Sequence, residues 1–237
     1  MNGPTLLAVA HGSRHPAAAS TTAALVRQVE RLAPVLEVRL AYVQHAEPTL
    51  PDALDAAGPD VVIVPLLLSS GYHLTTDIGG AVTALDTAIT ARTPAPRVAG
   101  PLGPDPLLVT ALASRLSEAG VPSGTPAVLA AAGSSDPHAA AEVAAQADLL
   151  GAELGVPVVP AFAAAGQPSV AEAVAELRAG TGGPVAVATY LLAPGQFHDK
   201  LTESAADWVT EPLGDHPAVA ALIIDRYRTH REAAKAA

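Results

Sequence analysis

Four short blocks of this sequence occur twice and in the same order, and that repetition constrains the fold more than any single motif. Ala10-His-Gly-Ser-Arg-His-Pro16 returns as Ala131-Ala-Gly-Ser-Ser-Asp-Pro137, and Glu47-Pro-Thr-Leu-Pro-Asp-Ala-Leu54 returns as Gln167-Pro-Ser-Val-Ala-Glu-Ala-Val174. Pro65-Leu-Leu-Leu-Ser-Ser-Gly-Tyr-His73 matches Tyr190-Leu-Leu-Ala-Pro-Gly-Gln-Phe-His198, and Pro101-Leu-Gly-Pro-Asp-Pro106 matches Pro212-Leu-Gly-Asp-His-Pro217. The offsets are 121, 120, 125 and 111 residues, a spread that changes in loop length produce between two copies of one unit. The chain of 237 residues therefore reads as two similar domains, 1–122 and 123–237, with the seam in the Gly- and Pro-rich stretch 120–126.

Each copy alternates short β-type runs with helical ones. In the first, Thr5–Ala10 reads as a strand, 17–33 as a helix that starts after Pro16 and stops before Pro34, 35–43 as a strand and Leu50–Ala57 as a helix. The run 61–67 is apolar without alternation, as expected of a central parallel strand covered on both faces. A loop with His73, a helix over 78–91, a short strand near 97–99 and a helix over 106–119 complete the copy. The expected fold is α/β: two tandem domains, each a small parallel sheet with helices on both faces, with a cleft between them.

With a strand order of 2-1-3-4, the first and third strands are neighbours whose connections leave on opposite sides of the sheet. That is the crevice where open α/β sheets bind ligands. His11 follows the first strand and His73 the third, so both reach the same carboxyl edge. Gly12 lets the chain turn there without a side chain in the way.

The chain has no cysteine, which excludes disulfides, thiolate zinc sites and iron–sulfur ligation, so a metal must be held by imidazole, carboxylate or hydroxyl. Two neutral imidazoles suit a divalent first-row ion such as iron, cobalt or nickel, and they serve equally as proton acceptors near neutral pH. Asp77 would orient His73 or cap the following helix, with capping favoured. His198 holds the place of His73 in the second copy, but Ala132 holds the place of His11. Only one complete pair is expected, with His198 a remnant of the other. The histidines at 15, 45, 138, 216 and 230 lack paired spacing and read mostly as surface residues.

These residues resemble the sirohydrochlorin chelatases, the class II tetrapyrrole chelatases, along nearly the whole chain. The carrying motifs are His11–Arg14 after the opening strand, Glu47-Pro48 at a helix start, and Pro65–Leu68, Gly71, His73 and Asp77-Ile78. The resemblance implies a lyase that inserts ferrous iron into sirohydrochlorin to make sirohaem, with cobalt insertion for a corrinoid pathway the close alternative. It implies His11 and His73 as the metal-handling pair, and a divalent metal as substrate without an organic cofactor. Gln44 stands where an acidic residue is expected, which departs from the carboxylate ligand the resemblance implies for that strand; Glu47 is expected to act outside the metal-handling pair.

Thirteen basic against 23 acidic residues give a net charge of −10, which opposes binding to nucleic acid or an anionic membrane. The same charge gives poor long-range steering for a substrate rich in carboxylates. Recognition is therefore expected to be local, from Arg14 as a carboxylate clamp and from Ser69, Ser70, Thr75 and Thr76. No run approaches the ~20 apolar residues of a membrane span and no secretory leader is evident, so the expected protein is a cytoplasmic monomer. No nucleotide-binding glycine fingerprint occurs. A metal or tetrapyrrole carrier without turnover is the alternative of another class. A histidine phosphatase is disfavoured because Ala10, not arginine, precedes His11.

Overall fold

The computed structural model describes residues 3–70 and 96–232. Strand β1 (Thr5–Ala10), helix α1 (Pro16–Leu32), β2 (Val38–Tyr42), α2 (Leu50–Ala57), β3 (Val61–Pro65), β4 (Arg97–Val98) and α3 (Pro106–Glu118) belong to the first sequence repeat. The second supplies β5 (Ala127–Gly133), α4 (Pro137–Leu154), β6 (Val158–Ala165), α5 (Val170–Thr181), β7 (Ala186–Tyr190), α6 (Gln196–Leu201), β8 (Trp208–Val209) and α7 (Pro217–Glu232). The helix expected over 78–91 lies outside the described residues.

Both sheets are parallel and have the same order, β2-β1-β3-β4 and β6-β5-β7-β8. All six residues of β1 and all five of β3 are buried, which is why these strands are apolar without alternation. One face of the first sheet, with Leu7, Val9, Ala41, Val61 and Ile63, packs on Leu50, Ala53 and Leu54 of α2. The matching face of the second, with Val128, Ala130, Ala161, Val185 and Val187, packs on Val170, Ala173 and Val174 of α5. Cores of alanine, valine and leucine let helices approach the sheets closely, consistent with 3% aromatic residues.

The second strand is shorter than the expected 35–43. Pro34 ends the preceding helix, and Val35 is 99% exposed in the turn that follows. The third repeat block is also shifted by one residue. Leu102 donates its N–H to Leu67 O (2.7 Å) as Leu213 does to Leu191 O (2.8 Å), so Leu66, not Pro65, is the counterpart of Tyr190.

A division at 122/123 describes the sequence repeats but not the compact units, which are residues 1–102 with 215–237, and 103–214. Each repeat gives up its last helix. Helix α7 packs on α1 and β3, whereas α3 packs on α4 and β7. Matching arginines secure the exchange. Arg226 of α7 donates to Pro101 O (3.1 Å) and Leu102 O (2.8 Å), and Arg115 of α3 donates to Leu213 O (2.8 Å). In the first unit, Tyr227 adds a bond of 2.6 Å to Pro4 O, tying α7 to the start of β1. Among the described residues, no helix is long and apolar enough to cross a membrane.

Candidate metal-handling site

The turn after β1 is built by three residues. Gly12 has φ +90°, and a β-carbon there would lie 1.7 Å from Gln44 O, so only glycine fits beneath that carbonyl. Ser13 Oγ accepts from His15 N–H (3.0 Å), and His15 Nδ1 accepts from Ala17 N–H (3.3 Å), capping α1 ahead of Pro16. These residues make the bend. His11 and Arg14 are what the bend presents.

His11 is half-buried and Arg14 exposed. The main chain around His11 is fixed to the extension of β2: Val43 N–H donates to Ala10 O (3.0 Å) and Gln44 N–H to His11 O (3.0 Å). On the other side, Leu66 N–H donates to Val9 O (2.8 Å), continuing the β1–β3 pairing past the strand ends. His11 thus sits between two neighbouring strands at their carboxyl edge, the position anticipated from the strand order. Its Nε2 lies 2.6 Å from Gln44 Nε2. Gln44 was legible only as a departure from an expected acid; no spacing rule announced that it would meet His11.

The turn after β5 repeats the frame. Gly133 has φ +97° and a β-carbon there would lie 1.9 Å from Ala165 O; Ser134 Oγ accepts from Asp136 N–H (3.1 Å), and Asp136 Oδ1 accepts from His138 N–H (2.9 Å). The carbonyl beneath each glycine identifies Ala165 as the counterpart of Gln44. The pair His11 and Gln44 therefore becomes Ala132 and Ala165, in a turn with the same glycine, serine and cap but with a register shift between Ala131 and Gly133 against β6.

His198 lies half-buried on α6, where its Nε2–H donates to Thr210 O at 3.2 Å. The same carbonyl accepts Thr189 Oγ1–H (2.6 Å), and Thr189 N–H donates to Thr210 Oγ1 (2.9 Å). Both threonines are fully buried. The corresponding residues in the first repeat, Pro65 and Ala99, carry no hydroxyl, so this network belongs to the second alone. Tyr190 closes β7 beside it. Burial first, and then the carboxylates of Glu142 and Asp105, push its phenol far above the ordinary tyrosine range, so it stays protonated and is no base.

The other expected site residues are less gathered. Ser69 and Ser70 are half-buried beyond β3, and Glu47 is exposed after β2. His73, Thr75, Thr76 and Asp77 lie outside the described residues. Among the described residues, no three His, Cys, Asp or Glu side chains gather as a metal site. Of the histidines taken as surface residues, His45 and His138 are exposed. His15 and His216 instead are half-buried helix caps, His216 Nδ1 accepting from Ala218 N–H at 3.2 Å. Proline at the next position was the signal for that role.

SirB from Bacillus subtilis, solved with Fe3+, is 26% identical, covers 99% of this chain and 98% of its own, and superposes with a TM-score of 0.82. CbiX, the terminal enzyme for biosynthesis of siroheme in denitrifying bacteria, is 26% identical over 95% of this chain and 98% of its own, with a TM-score of 0.68. A sirohydrochlorin cobaltochelatase of Methanosarcina barkeri is 29% identical over 124 residues, which is 95% of its length but 48% of this chain. That relative has about the length of one repeat. The CbiX family model matches the chain twice, over residues 5–119 and 126–230. With both repeats matched in sequence and built on the same sheet order, the chain belongs to the CbiX family.

Proposed function

We propose that this protein is a sirohydrochlorin chelatase, placing ferrous iron in the macrocycle to give sirohaem, with His11 and His73 handling the ion. The observation that carries the proposal is the position of His11. Its side chain is presented at the carboxyl edge of β1 by a turn in which Gly12, Ser13 and His15 make the bend. Insertion requires that a divalent ion shed water, approach one face of the ring and replace two pyrrole protons. An imidazole pair holds an ion with two neutral ligands and accepts those protons in turn. Tight binding would defeat the transfer.

Arg14, on the exposed side of the same turn, is the clamp for a substrate carboxylate, assisted by Ser69, Ser70, Thr75 and Thr76. An exposed arginine beside the site supplies local attraction that a net charge of −10 does not supply at long range. His198, engaged with Thr210 O, and Asp77 and Glu47 act outside the metal-handling pair. We place the activity in the cytoplasm, in a single chain whose duplication supplies both halves of the molecule.

Iron is placed first because CbiX, similar along 95% of the chain, is the terminal enzyme of siroheme biosynthesis; SirB, solved with Fe3+ and also with cobalt, favours neither ion. Cobalt remains the second reading because a cobaltochelatase matches one repeat's length. Insertion assays with sirohydrochlorin and each ion decide between them, and a protein active with cobalt alone would overturn the order. Stoichiometric binding without turnover would instead make it a carrier. Arg14→Ala should raise the Michaelis constant for sirohydrochlorin while leaving kcat nearly intact; an unchanged constant removes Arg14 from substrate binding.

A further inference from the structure

At the amino end of the first unit's sheet, opposite the edge that carries His11, the turn 33–37 and the last turns of α7 border an open cavity of about 540 Å3. Val35 and Leu36 form one side. Ile224, Tyr227, Arg228 and Arg231 form the other, at the i, i+3, i+4 and i+7 spacing of a single helix face. A β-carbon on Gly3 would lie 3.5 Å from Tyr227 Oη and 3.9 Å from Arg231 Nη1, so the guanidinium stands beside the phenol on that wall. The phenol proton is spent on Pro4 O, and the main chain of Arg231 is held by Arg97, which donates to its carbonyl at 3.3 Å.

The charges around the cavity do not cancel. Glu37 is paired with Arg39 (2.9 Å) and Asp60 with Arg97. Arg228 and Arg231, by contrast, have no carboxylate within ion-pair distance among the described residues. Two cations one helical turn apart repel each other until an anion lies between them.

The second unit supplies the control. Its last helix, α3, is aligned with α7 by the matching Arg115 and Arg226, and there Leu116, Ser117 and Gly120 take the places of Tyr227, Arg228 and Arg231. The facing turn is shorter as well. Leu6 N–H donates to Glu37 O as Ala127 N–H does to Pro157 O, but residues 33–37 stand where 155–157 do, two residues more. A longer turn and two arginines, neither required by the shared frame, thus border the same space.

We propose that this cavity binds a small organic anion with a carboxylate head on an apolar body. The two guanidiniums take the head, and Val35, Leu36 and Ile224 cover the body. Val35, 99% exposed, gains cover from such a ligand, whereas a compact anion such as phosphate would leave it bare.

Titration of the full-length protein with sodium octanoate, followed in proton–nitrogen correlation spectra, tests the site. Saturable shifts should appear at the amides of Val35, Leu36, Tyr227, Arg228 and Arg231. Arg228→Gln and Arg231→Gln should each weaken binding about five- to tenfold, and the double substitution should abolish it with the circular dichroism unchanged. Inorganic phosphate should bind at least about tenfold more weakly than octanoate. Absence of saturable shifts at these amides, or an unaltered affinity in the double variant, overturns the site. Phosphate binding as tightly as octanoate overturns the apolar half of the ligand. Shifts at the same amides on raising the protein concentration alone would give the cavity to a second copy of the chain and overturn the small-molecule ligand.

Discussion

The turn after β1 and the turn after β5 share a glycine seated under a carbonyl, a serine hydroxyl that accepts a backbone N–H, and a side-chain cap ahead of proline. They differ at His11, Arg14 and Gln44, which become Ala132, Ser135 and Ala165. A position filled in both turns answers to the backbone, because the bend fails without it. A position that changes while the bend is unaltered is released from the backbone and available to chemistry. The duplicated chain thus separates scaffold from site without reference to any other protein. His15 illustrates the gain: by residue type it could be a ligand, but Asp136 in its place shows that the position calls for a cap.

The largest effect that bears on this comparison is at the site. His11→Ala should lower metal insertion by roughly 100-fold or more with the fold intact, whereas Ala132→His, with His198 engaged on Thr210 O, should add no second activity. Insertion assays on both proteins, with circular dichroism as a control for folding, check this. A gain from Ala132→His would mean that the two turns are equivalent after all.

Next come the glycines. Gly12→Ala and Gly133→Ala each drive a β-carbon into a backbone carbonyl at positive φ, and each should destabilise its unit by about 2–4 kcal/mol in chemical denaturation. Similar losses from the two would support a shared scaffold. Only Gly12→Ala should also lower insertion per folded molecule, because it displaces His11.

The caps are smaller. His15→Ala and Asp136→Ala should each remove about 1 kcal/mol, with the Michaelis constant for sirohydrochlorin unaltered in His15→Ala. A large loss of kcat in His15→Ala would move that residue from scaffold to site. His198→Ala should leave insertion nearly unchanged and lower only the stability of the second unit, since its ring is engaged with Thr210 O.

The smallest effect concerns acid. Asp207 is held below the ordinary aspartate range by the Val185 N–H and by Arg178, so its contribution is complete above the unfolded pKa and is lost as pH falls through the lowered folded value. Asp207→Asn should flatten the acid limb of unfolding of the second unit. Trp208, the single tryptophan and the adjacent residue, reports that unfolding by fluorescence. The insertion rate at neutral pH should not follow it.

Much of this molecule could be read from its residues in order. Thr5–Ala10 and Leu50–Ala57 are the strand and helix that the sequence outlines, because apolar runs bounded by proline, glycine and cap residues are local signals. The duplication, the parallel sheets and the placement of His11 at a strand end follow from the same signals. What local signals do not carry is the partner. The apolar stripe of α3 states that the helix must cover a sheet, and either sheet would satisfy it. Only tertiary packing, with Arg115 on Leu213 O and Arg226 on Leu102 O, sends each last helix to the other repeat's sheet. The meeting of His11 and Gln44 has the same origin. It depends on the register of β2 against β1, which brings two side chains to one edge, and register is a property of paired strands rather than of either strand alone.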